Sequence, residues 1–129
     1  KAGHVIWYSP DQDYGLNQGV MAPFFGVPAA TITAARRMAK LGDKTRPPVF
    51  MALHTYRQTP DNLPRGKRPH YHLTITPALD NYPSSDEVAD ATRVNEVLEG
   101  LIRIDPTQWM WFHRRFKNGP NGRTDIYNK

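Results

Sequence analysis

The stretch Ser84–Ile102, which reads SSDEVADATRVNEVLEGLI, decides the fold because it carries a clear helical signal. Ser84 is followed three residues later by Glu87, the pattern of a capping box in which each side chain accepts a backbone N–H of the first turn. The apolar side chains that follow recur at helical spacing; they are Val88, Ala91, Val94, Leu98, Leu101 and Ile102. We therefore predict an amphipathic helix in this stretch.

The sequence before this helix predicts a β-hairpin. Val49–Arg57 is rich in β-branched and aromatic residues, which favour a strand. His70–Thr76 alternates in part between apolar and polar side chains, and Pro77 ends it. Residues 58–69 between them contain the Pro, Gly and Arg residues of a loop.

Two further elements are predicted closer to the start of the chain. His4–Tyr8 is a short aromatic and β-branched run, which indicates a buried strand. A loop punctuated by glycine follows it. Ala29–Leu41 has high helical propensity, with Pro28 suited to its first turn and Gly42 to its end.

The C-terminal part predicts one more helix. Asp105 before Pro106 is typical of an N-cap followed by proline at the first helical position, and this short helix would carry Gln108–Lys117. The tail, Asn118–Lys129, is polar and is expected to be extended. The order strand, helix, strand, strand, helix, helix predicts an α/β domain whose three strands are part of a larger sheet.

The composition is polar and basic. Hydrophobic residues make up 39% of the chain and the mean hydropathy is −0.65, so we expect some buried surface to lie against a segment outside this sequence. The lack of cysteine excludes disulfides and thiolate metal sites. No apolar run reaches the roughly 18 residues of a membrane span. A net charge of +5 favours an anionic partner, either nucleic acid, anionic lipid or an acidic protein.

The first candidate site is an acidic turn, Asp11–Gly15, which follows the first predicted strand. Ligands of open α/β sheets bind beyond the carboxyl ends of strands. Asp11 and Asp13 could hold a cation, orient a basic side chain or accept hydrogen bonds from hydroxyls. From physical chemistry alone, a solvated turn capped by its own side chains is the simpler interpretation.

The second candidate site is a basic-aromatic segment, Trp109–Lys117, in which aromatic residues alternate with His113, Arg114 and Arg115. The planar fork of arginine matches the geometry of phosphate. One alternative is a buried aromatic helix whose arginines pair with acids. Another is a module that binds RNA or DNA, which needs exposed aromatic rings beside the cations.

The histidines give a weaker signal. His70 and His72 share one face of a strand and could bind a metal, but no third ligand is evident, so a surface pair is the favoured interpretation. We interpret His54 as structural. No serine has the glycine context of a nucleophile elbow.

Two blocks of the sequence resemble the bacterial lipid A biosynthesis acyltransferases. Trp7–Gly15 followed by Ala22–Val27 is similar to the middle motif of that family, and Asp86–Asn95 followed by Pro106–Lys117 is similar to its closing signature. The blocks occur in the family's order and spacing and cover nearly the whole chain.

The resemblance implies a glycerol-phosphate-acyltransferase-like fold, here a partial one with a small mixed sheet and flanking helices. It implies transfer of a fatty acyl chain from acyl carrier protein to a hydroxyl of a lipid A precursor, an acylated and phosphorylated disaccharide, in lipopolysaccharide biosynthesis. The implied location is the cytoplasmic face of the bacterial inner membrane. Catalysis in the family is ascribed to a histidine general base oriented by an acid five positions later, with no metal or cofactor.

That histidine–acid motif and the membrane anchor of the family are expected upstream of Lys1. We therefore interpret residues 1–129 as the C-terminal portion of a single acyltransferase domain, without a catalytic residue and inactive alone. The expected partners are acyl carrier protein, the lipid A precursor and the membrane surface, with no nucleic acid. The acidic turn and the basic-aromatic segment are expected to line one cleft, with these substrate-binding residues: Asp11, Asp13, Tyr14, Arg57, His113, Arg114 and Arg115.

Overall fold

The computed structural model describes residues 4–42, 45, 47–58, 64–123 and 127. Within these ranges two α-helices combine with three separate antiparallel strand pairs. Three short 3-10 helices complete the structure. The strands are β1 (Gly19–Phe24), β2 (Val27–Ile32), β3 (Leu53–Gln58), β4 (His70–Ile75), β5 (Asn118–Gly119) and β6 (Gly122–Arg123); the α-helices are α1 (Ala34–Lys40) and α2 (Glu87–Ile102); the 3-10 helices are Leu16–Gln18, Pro106–Gln108 and Trp111–His113.

The β1–β2 hairpin was not predicted from the sequence. Its strands pair from Gly19 opposite Ile32 to Phe24 opposite Val27. Phe25 and Gly26 connect them with φ angles of 49° and 76°, and two positive φ angles are what a tight type I′ hairpin turn requires. The expected glycine-punctuated loop is therefore wrong, and so is the helix prediction for residues 29–33. Only the part from Ala34 onward is helical.

The β3–β4 hairpin confirms the strand prediction, although β3 begins four residues later than expected. Leu53 lies opposite Ile75 and Gln58 opposite His70. Ala52, just before β3, still exchanges hydrogen bonds with Thr76, its N–H donating to Oγ1 at 2.9 Å and its carbonyl accepting from Thr76 N–H at 2.9 Å. Residues 59–63 of the predicted 58–69 loop lie outside the described residues.

The helix α2 confirms the strongest sequence prediction, but its cap differs. Asp86 is the N-cap residue, and its Oδ1 accepts from the N–H groups of Val88 at 2.9 Å and Ala89 at 3.0 Å. Ser84, the predicted cap, lies two residues further out, where its hydroxyl accepts from the N–H of Asp86 at 3.1 Å. Because Asp86 lies closer to the first turn, its carboxylate accepts from two N–H groups that have no partner within the helix. The capping box predicted from Ser84 and Glu87 therefore has no role.

The core lies where β1, β2 and α2 meet the basic-aromatic segment. Phe24 is completely buried, with Ala29 and Ile102 beside it. The ring centroids of Trp109 and Phe116 lie 5.7 and 5.9 Å from that of Phe24. These aromatic contacts fix the C-terminal part of the chain on the β1–β2 hairpin.

A buried ion pair joins α1 to α2. Arg36 Nε donates to Asp90 Oδ2 at 2.8 Å, and the two side chains are 10% and 1% exposed. Burial alone would raise the pKa of the Asp90 carboxyl, but hydrogen bonds from Ser84 and from Arg36 outweigh it and hold that pKa below its ordinary value. The pair therefore places α1, which has no side-chain cap of its own, against the start of α2.

Three other sequence predictions are corrected by the structure. His4–Tyr8 forms no strand in the described part of the chain, because no described strand pairs with it. Val5 within it is 97% exposed. Trp109–Lys117 is not one helix: Trp109 is extended with a ψ of 144° and Arg114 is left-handed, so only Trp111–His113 keeps a helical turn. The tail begins with the β5–β6 hairpin, and residues 124–126, 128 and 129 lie outside the described residues.

The broad fold class is confirmed, since the chain forms a small α/β domain. The expected single mixed sheet is not found among the described residues, whose strands form only separate antiparallel pairs.

Candidate functional site

The acidic turn is hydrogen-bonded to Asn118, the residue that directly follows the basic-aromatic segment. Asp13 is 3% exposed, and its Oδ2 accepts from the N–H of Asn118 at 2.9 Å. Its Oδ1 accepts from the Asn118 side-chain amide at 2.7 Å and from the N–H of Gly15 at 2.8 Å. The two candidate segments of the sequence are therefore adjacent in space, and Asp13 uses both carboxylate oxygens to hold them together.

The basic-aromatic segment is in turn fastened to the core through Arg115, which is 2% exposed. Its guanidinium donates to the Ala30 carbonyl at 2.7 Å, to Thr31 Oγ1 at 2.9 Å and to Asn95 Oδ1 at 3.3 Å. It also lies 4.7 Å above the ring of Phe24. One side chain thus connects β2, α2 and the C-terminal segment.

The Arg115 cation has no carboxylate in direct contact among the described residues, although the acidic turn is close enough to act on it. Burial lowers the pKa of the guanidinium from its ordinary value, and the negative charges of Asp13 and Asp11 oppose that shift. The negative charges of the acidic turn therefore stabilise this buried cation.

A cavity of about 170 Å³ lies beside the acidic turn, and we call it the Tyr8–His54 cavity. Asp11 from the acidic turn and Trp109 from the basic-aromatic segment both line it. One residue of each segment therefore lines the same recess, and Asp11 is the only one of the seven predicted site residues in its lining. The full lining comprises Trp7, Tyr8, Ser9, Pro10, Asp11, Leu53, His54, Leu98, Leu101, Ile102 and Trp109.

Two residues of this lining each carry a buried polar atom without a partner among the described residues. The Ser9 hydroxyl donates to Asp11 Oδ1 at 2.7 Å. The hydroxyl of Tyr8 and the Nδ1 atom of His54 are buried and find no hydrogen-bond partner among the described residues. Burial raises the pKa of the Tyr8 phenol to about 12, so this group stays protonated and able to donate at neutral pH.

Sequence reasoning missed Tyr8 and His54 as members of this recess. The strand pattern assigned Tyr8 to a buried strand and His54 to a structural role, and neither pattern indicates which groups the tertiary fold brings opposite each other. The one available signal was the position of Tyr8, three residues before Asp11 of the acidic turn.

The remaining predicted site residues lie away from the cavity lining. Tyr14 is 54% exposed. Arg57 has an exposed side chain, and its backbone N–H and carbonyl are bound by the amide of Gln108 at 2.7 and 2.6 Å. His113 has a buried Nε2 without a partner among the described residues, and the exposed Arg114 lies 5.9 Å from the ring of Tyr127.

The exposure of the aromatic residues bears on the nucleic-acid alternative. Trp111 is 55% and Phe112 is 75% exposed, and Arg114 is exposed beside them. The other arginine, Arg115, is buried in the core network described above and cannot face a phosphate backbone in this structure. Of the two arginines that suggested nucleic-acid binding, Arg114 and Arg115, the second therefore serves the folded structure of the protein.

A larger groove of about 480 Å³ runs between α2 and residues 76–80, and it contains none of the predicted site residues. In the described part of the chain, no group of three or more His, Asp and Glu side chains is arranged to hold a metal ion. The described helices include none with the length and apolar character to cross a bilayer.

Comparison with known proteins identifies the family. The family described as bacterial lipid A biosynthesis acyltransferase matches residues 1–118. The chain is 37% identical to a lipid A biosynthesis lauroyltransferase of Escherichia coli (strain K12) over 98% of its own length and 38% of the relative's. It is 34% identical, with the same coverage, to a lipid A biosynthesis palmitoleoyltransferase of that organism.

A lipid A biosynthesis myristoyltransferase of Escherichia coli (strain K12) is 25% identical over all of this chain and 36% of its own length. No solved structure matches the chain. The chain spans less than two fifths of the length of these curated relatives. On the family match, the chain belongs to the bacterial lipid A biosynthesis acyltransferases.

Proposed function

We propose that this chain is part of an acyltransferase that moves a fatty acyl chain from acyl carrier protein to a hydroxyl of a lipid A precursor, and that it supplies the acceptor side of the active site. The observation that carries the proposal is the family match over residues 1–118, which spans both segments that meet at the Tyr8–His54 cavity. The relatives are named for three different acyl groups, so the proposal takes the fatty acyl group as a class.

The proposal includes an arrangement of the whole protein. Residues 1–129 form the C-terminal portion of a glycerol-phosphate-acyltransferase-like domain, and the preceding portion supplies the histidine general base and its acid. The chain covers 38% of the length of the first relative, so a protein of that length has room for such a further portion. The general base would take the proton of the acceptor hydroxyl as its oxygen attacks the thioester carbonyl, and the acyl carrier thiol would leave. The segment alone would then bind acceptor without transferring acyl groups.

Roles for the predicted site residues follow from their surroundings. Asp11 lines the cavity and keeps one carboxylate oxygen free of the hydrogen bond from Ser9, which supports contact with acceptor hydroxyls. Asp13 and Arg115 use their polar groups inside the protein, which supports positioning roles for them. Arg57 and Arg114 are exposed cations suited to the phosphates of the acceptor, with His113 next to Arg114.

Membrane contact at the cytoplasmic face of the inner membrane is also proposed, through the exposed corner formed by Trp111 and Phe112. The indole N–H of Trp111 donates to the Pro106 carbonyl at 2.8 Å, so the exposed part of this ring is apolar. Aromatic rings next to cations such as Arg114 suit the interface of a membrane containing anionic lipids. The net charge of +5 is consistent with such a surface and with acidic acyl carrier protein.

The experiment is an acyl transfer assay with the full-length protein in detergent, acyl carrier protein loaded with labelled fatty acid, and lipid A precursor. We expect transfer by the wild-type protein and at least a tenfold lower kcat/KM for Asp11→Asn, because a carboxylate bond to a hydroxyl contributes about 1.5–3 kcal/mol. Glu96→Gln, an exposed acid on α2 that does not line the Tyr8–His54 cavity, is the matched control. Absence of transfer by the wild-type protein with lauroyl, myristoyl and palmitoleoyl donors would overturn the proposal.

A further inference from the structure

We propose that residues 64–68, in the connection between β3 and β4, are the docking point for the acidic protein that carries the acyl donor. We call residues 64–68 the cationic turn. The inference rests on the proposed function, because that function requires an acyl carrier protein. It assigns a surface to the carrier in a stretch that the sequence indicates only as a loop.

The net charge of the chain is concentrated around the β3–β4 hairpin. Residues 44–79 contain six lysine and arginine side chains and one acid, whereas the rest of the chain contains eleven side chains of each sign. The whole net charge of +5 therefore belongs to this stretch. Charge of one sign gathered on one part of a surface steers a partner of the opposite sign to that part.

The cations of the cationic turn are available to such a partner. Arg65, Lys67 and Arg68 are exposed, and none of them forms an ion pair with another described residue. The ion pairs of the described residues instead involve Arg36 and Arg103. Binding of an acidic partner at the cationic turn therefore breaks no ion pair among the described residues.

The backbone holds these cations in an ordered turn. The N–H of Lys67 donates to the Pro64 carbonyl at 3.0 Å, and Gly66 has a φ of 85°. A positive φ at the third residue is what a type II β-turn requires, and glycine adopts it without strain. Arg65 and Lys67, on either side of Gly66, are therefore presented by a backbone that is already ordered, which lowers the entropic cost of binding.

Strand β3 connects the tip of the hairpin to the proposed acceptor side. Near the tip, the side-chain amide of Gln108 binds the N–H and the carbonyl of Arg57 at 2.7 and 2.6 Å. At the other end of β3, Leu53 lines the Tyr8–His54 cavity. Four residues of strand separate Leu53 from Arg57, which is about 13 Å at about 3.3 Å per residue. A donor held at the tip therefore lies about one strand length from that cavity.

The surroundings of the cationic turn favour an acidic protein over a membrane. Tyr71 lies opposite Arg57 in the hairpin, and Tyr71 and Leu73 on the same face are 70% and 60% exposed. Protein interfaces combine an apolar centre of this kind with a charged rim. A segment that inserts into a bilayer carries aromatic or aliphatic side chains where it enters, and residues 64–68 contain neither aromatic nor branched aliphatic residues.

The test measures binding of labelled acyl carrier protein, with its acyl group attached, to the full-length protein in detergent by fluorescence anisotropy at low and at high salt. Arg65→Glu combined with Lys67→Glu reverses two charges of the cationic turn, and Arg68→Glu alone reverses the third. The matched control, Arg37→Glu combined with Lys40→Glu, makes the same charge change at exposed positions of α1. Melting temperatures, kinetics of acyl transfer and co-sedimentation with phosphatidylglycerol vesicles are measured in parallel.

At low salt we expect the dissociation constant of the loaded carrier and its KM as donor to rise about tenfold in the double variant of the cationic turn. Arg68→Glu should raise both about threefold, because charge reversal replaces attraction by repulsion. Both effects should shrink at high salt, since exposed charges are screened. The KM for acceptor, the vesicle binding and the melting temperatures should stay at the wild-type values, and so should carrier binding by the control.

Unchanged carrier binding in both variants of the cationic turn would overturn the docking point, and an active wild-type protein would then leave the proposed function standing. Equal weakening of carrier binding in the α1 control would also overturn it, because net charge alone would explain the effect. Loss of vesicle binding with unchanged carrier binding would assign the turn to the membrane surface instead. Carrier binding that depends on the cationic turn, in a protein that transfers no acyl group to lipid A precursor, would overturn the proposed function and leave the docking point.

Discussion

Replacement of Arg115 by methionine tests the network that joins the C-terminal segment to the core. Arg115 is 2% exposed and donates to the Ala30 carbonyl, Thr31 Oγ1 and Asn95 Oδ1. Methionine fills a similar volume without a donor. Thr31 Oγ1 keeps its hydrogen bond from Asn95 Nδ2 at 3.0 Å, whereas Asn95 Oδ1 loses the donor that Arg115 provides.

The magnitude follows from these contacts. The two shorter hydrogen bonds from a charged donor contribute about 1.5–3 kcal/mol each, a gross loss of about 3–6 kcal/mol. Removal of a buried charge offsets part of that loss, because the guanidinium no longer has to be desolvated and its Nε has no partner among the described residues. We expect a net loss of about 2–4 kcal/mol in the free energy of unfolding.

The assay is denaturant unfolding of the intact protein, followed by circular dichroism. Arg114→Met is the matched control, since Arg114 is the adjacent arginine with an exposed side chain, and it should change the free energy of unfolding by no more than about 0.5 kcal/mol. Equal stability of the two variants, or a gain of stability in Arg115→Met, would refute the assignment of Arg115 to the structural network.

Three further predictions concern other parts of the fold. Asp90→Asn should lower the free energy of unfolding by about 3–5 kcal/mol at pH 7, because it leaves a buried arginine unpaired. The pKa of this carboxyl in the folded protein lies below its ordinary 3.8, so the stability advantage of the wild type is complete above about pH 4 and disappears as the pH falls through the folded-state pKa. Thermal midpoints of variant and wild type that differ equally at pH 7 and at pH 2 would contradict this prediction. Gly19→Ala should lower the free energy of unfolding by about 1–3 kcal/mol, because the added Cβ would collide with the Thr31 carbonyl. Gly100→Ala in α2 has open space around the added Cβ and should raise the free energy of unfolding by about 0.5–1 kcal/mol. Chemical denaturation that ranks the two variants in the reverse order would disprove the β1–β2 geometry. Tyr8→Phe removes an unpaired buried hydroxyl, so the ligand-free protein should melt at the same temperature or higher, and a lower melting temperature would show that this hydroxyl has a structural partner.

Local signals in the sequence were sufficient for α2 and for the β3–β4 hairpin. In α2 the helical spacing of apolar residues agrees with the tertiary burial of Val94, Leu101 and Ile102. Only the cap was misassigned, because Asp86 lies closer to the first turn than Ser84 and competes successfully for its N–H groups. The β3–β4 strands have the β-branched and aromatic composition that agrees with their pairing.

The β1–β2 hairpin escaped sequence reasoning because tertiary packing overrides local propensity there. The two alanines in the middle of β2 favour a helix in isolation, but Ala29 and Ala30 are completely buried in strand conformation. Pro23 and Pro28 oppose a strand in general, yet they lie opposite each other in the register and are both exposed. The Phe25–Gly26 pair was the available sequence signal for a hairpin turn. It was hard to recognise because such turns usually have Asn, Asp or Gly, and not a bulky residue, at the first position.

The candidate site was only partly predictable for a related reason. The sequence indicates that Asp11, Asp13 and Arg115 carry chemistry, but the internal partners that occupy Asp13 and Arg115 are distant along the chain. Asp13 meets Asn118, and Arg115 meets Ala30. Which charged groups face a ligand and which hold the protein together depends on these distant contacts.

Amide hydrogen exchange of the full-length protein, with and without lipid A precursor, tests the location of the acceptor site most directly. We expect slower exchange on acceptor binding in residues 7–11, around His54 and around Trp109, with no change in the exposed β4 strand. Protection confined to the groove between α2 and residues 76–80, with residues 7–11 unaffected, would contradict it.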